Sequence, residues 1–426
     1  MKRNSFFLVV ISCILFFQTA VAADEPLTLE RAYELTLKRS EDIAMKAEAI
    51  RRAEGRFYEA LSGLMPRADF VITRQEQDAP QSSGASSESA SSTLLRRSTP
   101  QKKFVFNQPL FTGFKEFAAI RGAGSEKAQR QFEKKRAEEL LFVDVMEAFY
   151  NWAEARKAIG IIQEIQRLYK ERLGLVAERV RLGRSRESEG QTTLLDLKLA
   201  EAQLEDARRF EVVSRQLLEF YIGREIAGAP AEGDSKVEPD PALPRFLAKK
   251  GLRSDVAAAR EAYELERHRV TVAQSGFLPS AKLDGNYYTQ RVGLQSGINW
   301  DVLLTVDVPI FEGTKTVGEV KEAVALREAA RLNLSKAERM AELEIKNAFE
   351  TFTASKRQAA AYRAAAAAAR SNFQSHDKEY RLNLISNLEA LDALRLYEDT
   401  ELKLNASDYG VKRDYWKLKV SAGEIK

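Results

Sequence analysis

The sequence predicts a mainly α fold with a small β part, elongated rather than compact and written as a tandem internal repeat. Three observations carry this reading. The chain of 426 residues has only 11 prolines, and none lies between Leu110 and Ala229 or after Pro309. Proline removes a backbone donor and clashes with the preceding helical turn, so stretches this long without it permit very long helices. Motifs of the first half recur in the second at nearly constant spacing, and four short segments alternate apolar and polar residues. Composition narrows the class further: 30% charged residues, 44% hydrophobic residues and a net charge of +4 make the chain too apolar for disorder and too balanced for a nucleic-acid binder.

The amino terminus reads as an address. Lys2 and Arg3 precede an apolar run from Phe6 to Phe17, and Ala20-Val21-Ala22 supplies the small residues of a cleavage site. Residues 1–22 are therefore expected to be a signal peptide, and the chain cleaved after Ala22 has no cysteine for disulfide or thiol chemistry. Two alternatives compete: a lipobox at Val10-Ile11-Ser12-Cys13, with Cys13 lipidated, and an uncleaved anchor, for which the run is short of the roughly 20 residues a span needs.

The repeat is read from paired motifs. Gly63-Leu64-Met65-Pro66 recurs as Gly276-Phe277-Leu278-Pro279 at an offset of 213, and Pro109-Leu110-Phe111-Thr112-Gly113 recurs as Pro309-Ile310-Phe311-Glu312-Gly313 at an offset of 200. The 13 extra residues of the first copy fall in the serine-rich segment 78–101, expected to be an external loop. A first repeat over 23–229, an inter-repeat linker over 230–250 and a second repeat over 251–426 follow. Pro109, Gly113, Pro309 and Gly313 are expected to mark strand ends.

Each copy holds two strand patterns. Ala68, Phe70 and Ile72 alternate with Asp69, Val71 and Thr73, and Phe104 and Phe106 with Lys103, Val105 and Asn107, giving strands near 67–77 and 102–111. In the second copy the strands fall near 280–290 and 298–310, where Ile298, Trp300, Val302, Leu304, Val306 and Val308 form an unbroken apolar face. The long segments 115–224 and 315–420 have helical period: Ala137, Leu141, Val145, Ala148, Trp152, Ala155 and Ile159 form one seam, repeated 200 residues later from Ala337 to Ala359. The helices alone fit an ordinary coiled coil. The strands do not: in a membrane every backbone donor must be paired, and strands achieve this only in a closed barrel. Four strands cannot close one, so several chains must share it.

The tandem copies, the Pro-Leu-Phe-Thr-Gly and Pro-Ile-Phe-Glu-Gly motifs and the opening Leu27-Thr28-Leu29-Glu30-Arg31-Ala32 resemble the TolC family of outer-membrane efflux proteins. The resemblance implies a homotrimer with a 12-stranded transmembrane β-barrel, a long α-helical coiled-coil barrel forming a periplasmic tunnel, and the linker in the equatorial region. It implies an exit duct for efflux or type I secretion, with outer-membrane lipid, a periplasmic adaptor (membrane fusion protein) and an inner-membrane pump as partners. The resemblance also implies a periplasmic gate. A tyrosine, a turn residue three places on and two acidic residues beyond it correspond here to Tyr380, Asn383, Glu389 and Asp392; the first copy offers Gly183 and Glu189. Three copies of each carboxylate around an axis would make a cation-favouring constriction; a merely solvated helix surface is the alternative. Ile385 replaces a basic residue that latches the gate in some relatives.

No catalytic, cofactor or metal site is expected. His268 and His376, the only histidines, are far apart in charged helical contexts, and no metal-ligand spacing, phosphate loop or nucleophile elbow is present. Trp300, Tyr287 and Tyr288 are candidates for an aromatic girdle. The rival reading of the whole chain is a soluble periplasmic coiled-coil scaffold or adaptor whose strands form a small separate sheet.

Overall fold

The computed structural model describes residues 26–78, 98–231, 237–238, 241–293 and 295–425; the expected signal peptide, most of the serine-rich segment and part of the linker lie outside them. The elements are α1 (Leu29–Arg39), α2 (Glu41–Ser62), β1 (Arg67–Glu76), β2 (Ser98–Thr112), α3 (Lys115–Arg181), α4 (Glu187–Ile222), α5 (Leu243–Leu247), α6 (Ser254–Gln274), β3 (Ser280–Gln290), β4 (Trp300–Asp307), α7 (Lys315–Arg381) and α8 (Asn387–Ser421). Both α3 and α7 are continuous helices of 67 residues, about 100 Å at 1.5 Å per residue.

The four strands form one antiparallel meander in the order β1-β2-β3-β4, so the hairpins of the two repeats pair through β2 and β3. Register separates the faces. Phe70 pairs with Phe104, Phe104 with Tyr287 and Tyr287 with Trp300; Ala68, Phe106, Gly285 and Val302 form the adjoining row, and Leu283 with Leu304 and Ala281 with Val306 continue it. The opposite face carries Asp69, Thr73, Lys103, Asn107, Asp284, Asn286, Asp301, Thr305 and Asp307, with Val71, Val105 and Leu303 among them. Its polar groups are laddered: Asn107 Nδ2 donates to Asp284 Oδ1 at 2.5 Å and Asn286 Nδ2 to Asp301 Oδ1 at 2.8 Å. Among the described residues nothing covers the apolar face, where Ile72, Trp300, Val302, Leu304 and Val306 are all more than half exposed.

Several sequence expectations are corrected here. Pro109 lies inside β2, at a register shift between Pro109 and Phe111 that accommodates its missing donor. Pro309 lies two residues beyond β4, which ends at Asp307. Gly113 directly follows the end of β2 as expected, whereas Gly313 lies well beyond the end of β4; each stands two residues before a long helix, with φ of +63° and +68°. Ser98–Gln101, assigned to the loop, extend β2. Tyr288 pairs with Lys103 on the polar face and lies 4.1 Å from the Arg291 guanidinium, so of the three girdle candidates it stands on the face opposite Tyr287 and Trp300.

The helices pack in two tiers. Near the sheet, α2 lies antiparallel to α3 (Lys127 Nζ to Glu54 Oε1, 2.8 Å), α3 to α6 (Ser254 Oγ to Glu139 Oε1, 2.6 Å), and α6 packs on α7. In the far half α4 and α8 flank α3 (Trp152 Nε1 to Glu211 Oε1, 2.7 Å; Arg413 Nη1 to Glu154 Oε2, 2.6 Å), and α7 lies on α8. The expected seam is the packed one: Val145, Ala148, Trp152 and Ala155 on α3, and Ala341, Ile345, Phe352 and Ala359 on α7, are buried. At mid-height a core of Phe142, Met146, Phe149, Trp152, Leu218 and Tyr409 closes over Leu29 and Ala32. There Leu27 N–H donates to Ala229 O and Ala231 N–H to Leu27 O (3.0 and 2.8 Å), tying the start of the chain to the linker. Arg253, fully buried, binds Asp255, Glu344 and the Ser421 carbonyl and joins α6, α7 and α8. No helix among the described residues is long and apolar enough to cross a membrane.

Candidate gate at the helical tip

The end of the molecule farthest from the sheet is made by two turns. After α3, Gly183 takes φ +66°, its N–H bonds Val180 O and the Arg184 N–H reaches back to Arg179 O; after α7, Asn383 takes φ +61° with the same bonds to Tyr380 O and Glu379 O. Both are Schellman closures, which need a left-handed residue just past the helix, and asparagine tolerates that geometry better than other side-chain-bearing residues.

The second helix of each hairpin starts differently. Ser386 caps α8: its Oγ accepts from Glu389 N–H, and the Glu389 carboxylate accepts from Ser386 N–H (2.7 Å) and Oγ–H (2.8 Å), a capping box. These bonds, led by the backbone one, hold the exposed Glu389 carboxyl below its ordinary range. In α4, Arg186 stands at the cap without a side-chain bond, and Ser185 Oγ donates to Glu189 Oε2 at 2.6 Å. Buried Asn387 links the two helix starts, its Nδ2 reaching Thr193 Oγ1 at 3.1 Å and Glu189 O at 3.4 Å. Glu189, Glu389 and Asp392 therefore share one end of the molecule.

Tyr380 does not join them. It is buried, its ring clamped between the guanidinium groups of Arg172 and Arg179 at 4.2 and 3.9 Å, and it packs with Val176 and Ala390. Ile385 packs against this cluster, so no basic side chain stands at that position. The cross-helix ion pairs are elsewhere. Arg172 Nη2 meets Asp377 at 2.9 Å between α3 and α7, and Arg179 Nη2 donates to Tyr380 O at 2.7 Å. Arg395 holds Asp392 with one nitrogen and buried Asp196 of α4 with the others, both at 2.9 Å. Beside this pair, burial raises the Glu398 carboxyl above its ordinary range, with Asp196 and Asp399 adding to it, although Tyr169 Oη donates to it at 3.2 Å. Among the described residues no cluster could hold a metal ion.

The sequence profile of the family described as "Outer membrane efflux protein" matches residues 32–224 and 250–424, both repeats and most of the chain. This chain belongs to the outer membrane efflux protein family. The family is one of outer-membrane efflux proteins, and two curated relatives are similar to this chain over most of its length. The alkaline protease secretion protein AprF of Pseudomonas aeruginosa is 24% identical over 75% of this chain and 68% of its own length. The outer membrane protein TolC of Escherichia coli is 21% identical over 68% of this chain and 62% of its own, so the chain spans less than two thirds of TolC. The fold is that of the outer membrane protein VceC from Vibrio cholerae, with a TM-score of 0.79 at 17% identity, covering 93% of this chain and 96% of that one.

In this efflux protein, sequence reasoning missed Arg172, Arg179, Asp196 and Arg395. Asp392 and Arg395 are three apart in one helix, a spacing that signals a pair. The bond to Asp196 had no local signal, since it joins positions 199 residues apart.

Proposed function

We propose that three copies of this efflux protein close into one duct, a passive conduit across the outer membrane and periplasm that serves a tripartite efflux or type I secretion system through a periplasmic adaptor and an inner-membrane pump. The observation that carries the reading is the two-faced sheet: an uncovered apolar face suits lipid, and the laddered polar face suits a water-filled lumen. The edges support it. β1 and β4 are edge strands of a sheet too small to close. Exposed apolar residues gather on the edge helices, Met45 and Tyr58 of α2, Leu199, Val213 and Phe220 of α4, and Leu332, Met340 and Leu343 of α7, where a neighbouring copy would cover them. A soluble scaffold would leave the sheet's apolar face in water.

The tip acts as the gate in this reading. Glu189, Glu389 and Asp392 in three copies make an anionic ring, and the Arg395–Asp196 and Arg172–Asp377 pairs hold the hairpins together in place of a latch at Ile385. Conductance across a planar bilayer tests it. The Glu389→Gln, Asp392→Asn double variant keeps the cap, because glutamine serves as well in a capping box, and should lose cation selectivity; unchanged selectivity would remove these residues from the gate. Release of the protein by osmotic shock without detergent would sink the channel itself. The name of AprF points to a protein cargo, and secretion of a co-expressed protease in a strain lacking its own channel checks that route.

A further inference from the structure

A groove between the start of α3 and the end of α6 is unexplained by the duct. It has a volume of about 430 Å³ and is lined by Phe114, Phe117, Ala118, Arg121, His268 and Thr271. Its floor is set by Gly122, where an added Cβ would come within 3.4 Å of Leu265 Cδ1 and 3.5 Å of His268 Cβ, so the helices are close there and part around it. Phe114 and Phe117 are more than half exposed.

Three facts say what this groove faces. It is continuous with the apolar side of the sheet: Phe114 meets Phe111 edge-on at 5.3 Å, and Phe111 pairs with Ala281, which pairs with Val306. It lies mid-chain, since in this tier α3 and α6 stand between α2 and α7, as β2 and β3 stand between β1 and β4, so assembly through the edges leaves it open. Finally, Arg121 is exposed and has no anionic partner among the described residues, in a chain whose helical arginines are mostly paired at three- or four-residue spacing. Arg121 lies two helical turns past Phe114, about 10 Å along the axis; if Phe114 ends the hydrocarbon, a headgroup layer of roughly 5–8 Å stops just short of the Arg121 backbone and within reach of its long side chain, which in a helix leans toward the N-terminus. His268 is held below its usual pKa by burial and by the neighbouring Arg267 and Arg121 guanidinium groups.

We propose that this groove binds an anionic phospholipid of the periplasmic leaflet, an acyl chain lying on Phe114 and Phe117 and the phosphate held by Arg121 with the Thr271 hydroxyl and His268 beside it. Aromatic rings at the interface and a guanidinium at the phosphate are the pairing such a lipid requires. The inference rests on the sheet's apolar face meeting lipid.

The test is native mass spectrometry of the full-length assembly in neutral detergent, titrated with dioleoylphosphatidylglycerol. Wild type should take up to one lipid per chain. Arg121→Gln, an exposed and conservative change, should bind about fivefold more weakly, the equivalent of about 1 kcal/mol for one basic contact. Phe117→Ala should also weaken uptake, and Arg208→Gln at a distant exposed site should not. Dioleoylglycerol, with the same chains and no phosphate, should not saturate. Equal uptake by wild type and Arg121→Gln would overturn the proposal. So would full competition by inorganic phosphate, which would make this a free-anion site. The mass of the assembly and its conductance, read on the same preparations, report on the channel separately: a trimeric, conducting protein without lipid selectivity fails the groove alone.

Discussion

At the scale of single residues, the tip shows how one carboxylate serves two ends. Glu389 completes the cap of α8, and the hydrogen bonds from Ser386 that do so hold its carboxyl below the ordinary range. Its charge is therefore present at every physiological pH. The linkage has a definite sign: a depressed carboxyl contributes stability above its unfolded pKa and loses it as pH falls through the folded one. The first turn of α8 should stay protected from amide exchange at pH 5 and open only on further acidification. Ser386→Ala should cost about 1 kcal/mol, read as faster exchange over that turn. Glu398 has the opposite sign. Burial raises its carboxyl, so protonation favours the folded form, and Glu398→Gln, which still accepts from Tyr169, should raise the thermal midpoint at pH 7.5 and change it least near pH 4. The Arg395 fork on Asp196 is the costlier contact: Arg395→Ala leaves a buried carboxylate unpaired and should lower stability by about 2 kcal/mol in denaturant titration.

At the scale of elements, the chain switches from strand to rod within a few residues, and Gly113 makes the switch. Its φ of +63° is left-handed, and a Cβ there would lie 2.9 Å from both Leu278 Cβ and Ser275 O. Alanine meets both penalties, so Gly113→Ala should cost about 1–3 kcal/mol and lower the yield of assembled protein in the membrane fraction. Gly313 has the same φ with open space around it, and alanine there should cost about 1 kcal/mol from the backbone alone. The repeat is thus equal in backbone and unequal in packing. This asymmetry has a sequence trace only in hindsight, because the partners of Gly113 lie some 160 residues away. The capping box, by contrast, has a local trace, Ser-x-x-Glu at 386–389, that sequence reasoning passed over.

At the scale of the whole molecule, the sheet has one apolar and one polar face, and in the proposed barrel substitutions on the two should behave differently. Leu304→Arg on the apolar face should cost about 2–4 kcal/mol of insertion near the bilayer centre and deplete the protein from the outer-membrane fraction. Asp301→Asn, on the opposite face and hydrogen-bonded to Asn286, should insert normally and act on ion selectivity instead. Immunoblots of fractionated membranes separate these outcomes. The same two-sidedness explains how a chain of ordinary composition can present a membrane surface with no membrane-spanning helix among the described residues: the apolar surface is spread over alternate residues of four strands.

Periodicity, proline placement and motif recurrence determined by themselves the repeat, the four strands, the long helices and the packed seam, because each depends on residues near one another in the chain. The helical turn at Asn383 and the acidic start of α8 came instead from the family resemblance. Tertiary structure alone decided that Pro109 sits within a bulged strand, that Tyr288 faces away from the girdle, that Tyr380 is buried between two arginines and that Asp196 answers Arg395. Those outcomes depend on which residues of elements far apart in sequence come level with one another, and that register is set by the packing of whole rods and the pairing of the two hairpins, which no local pattern encodes.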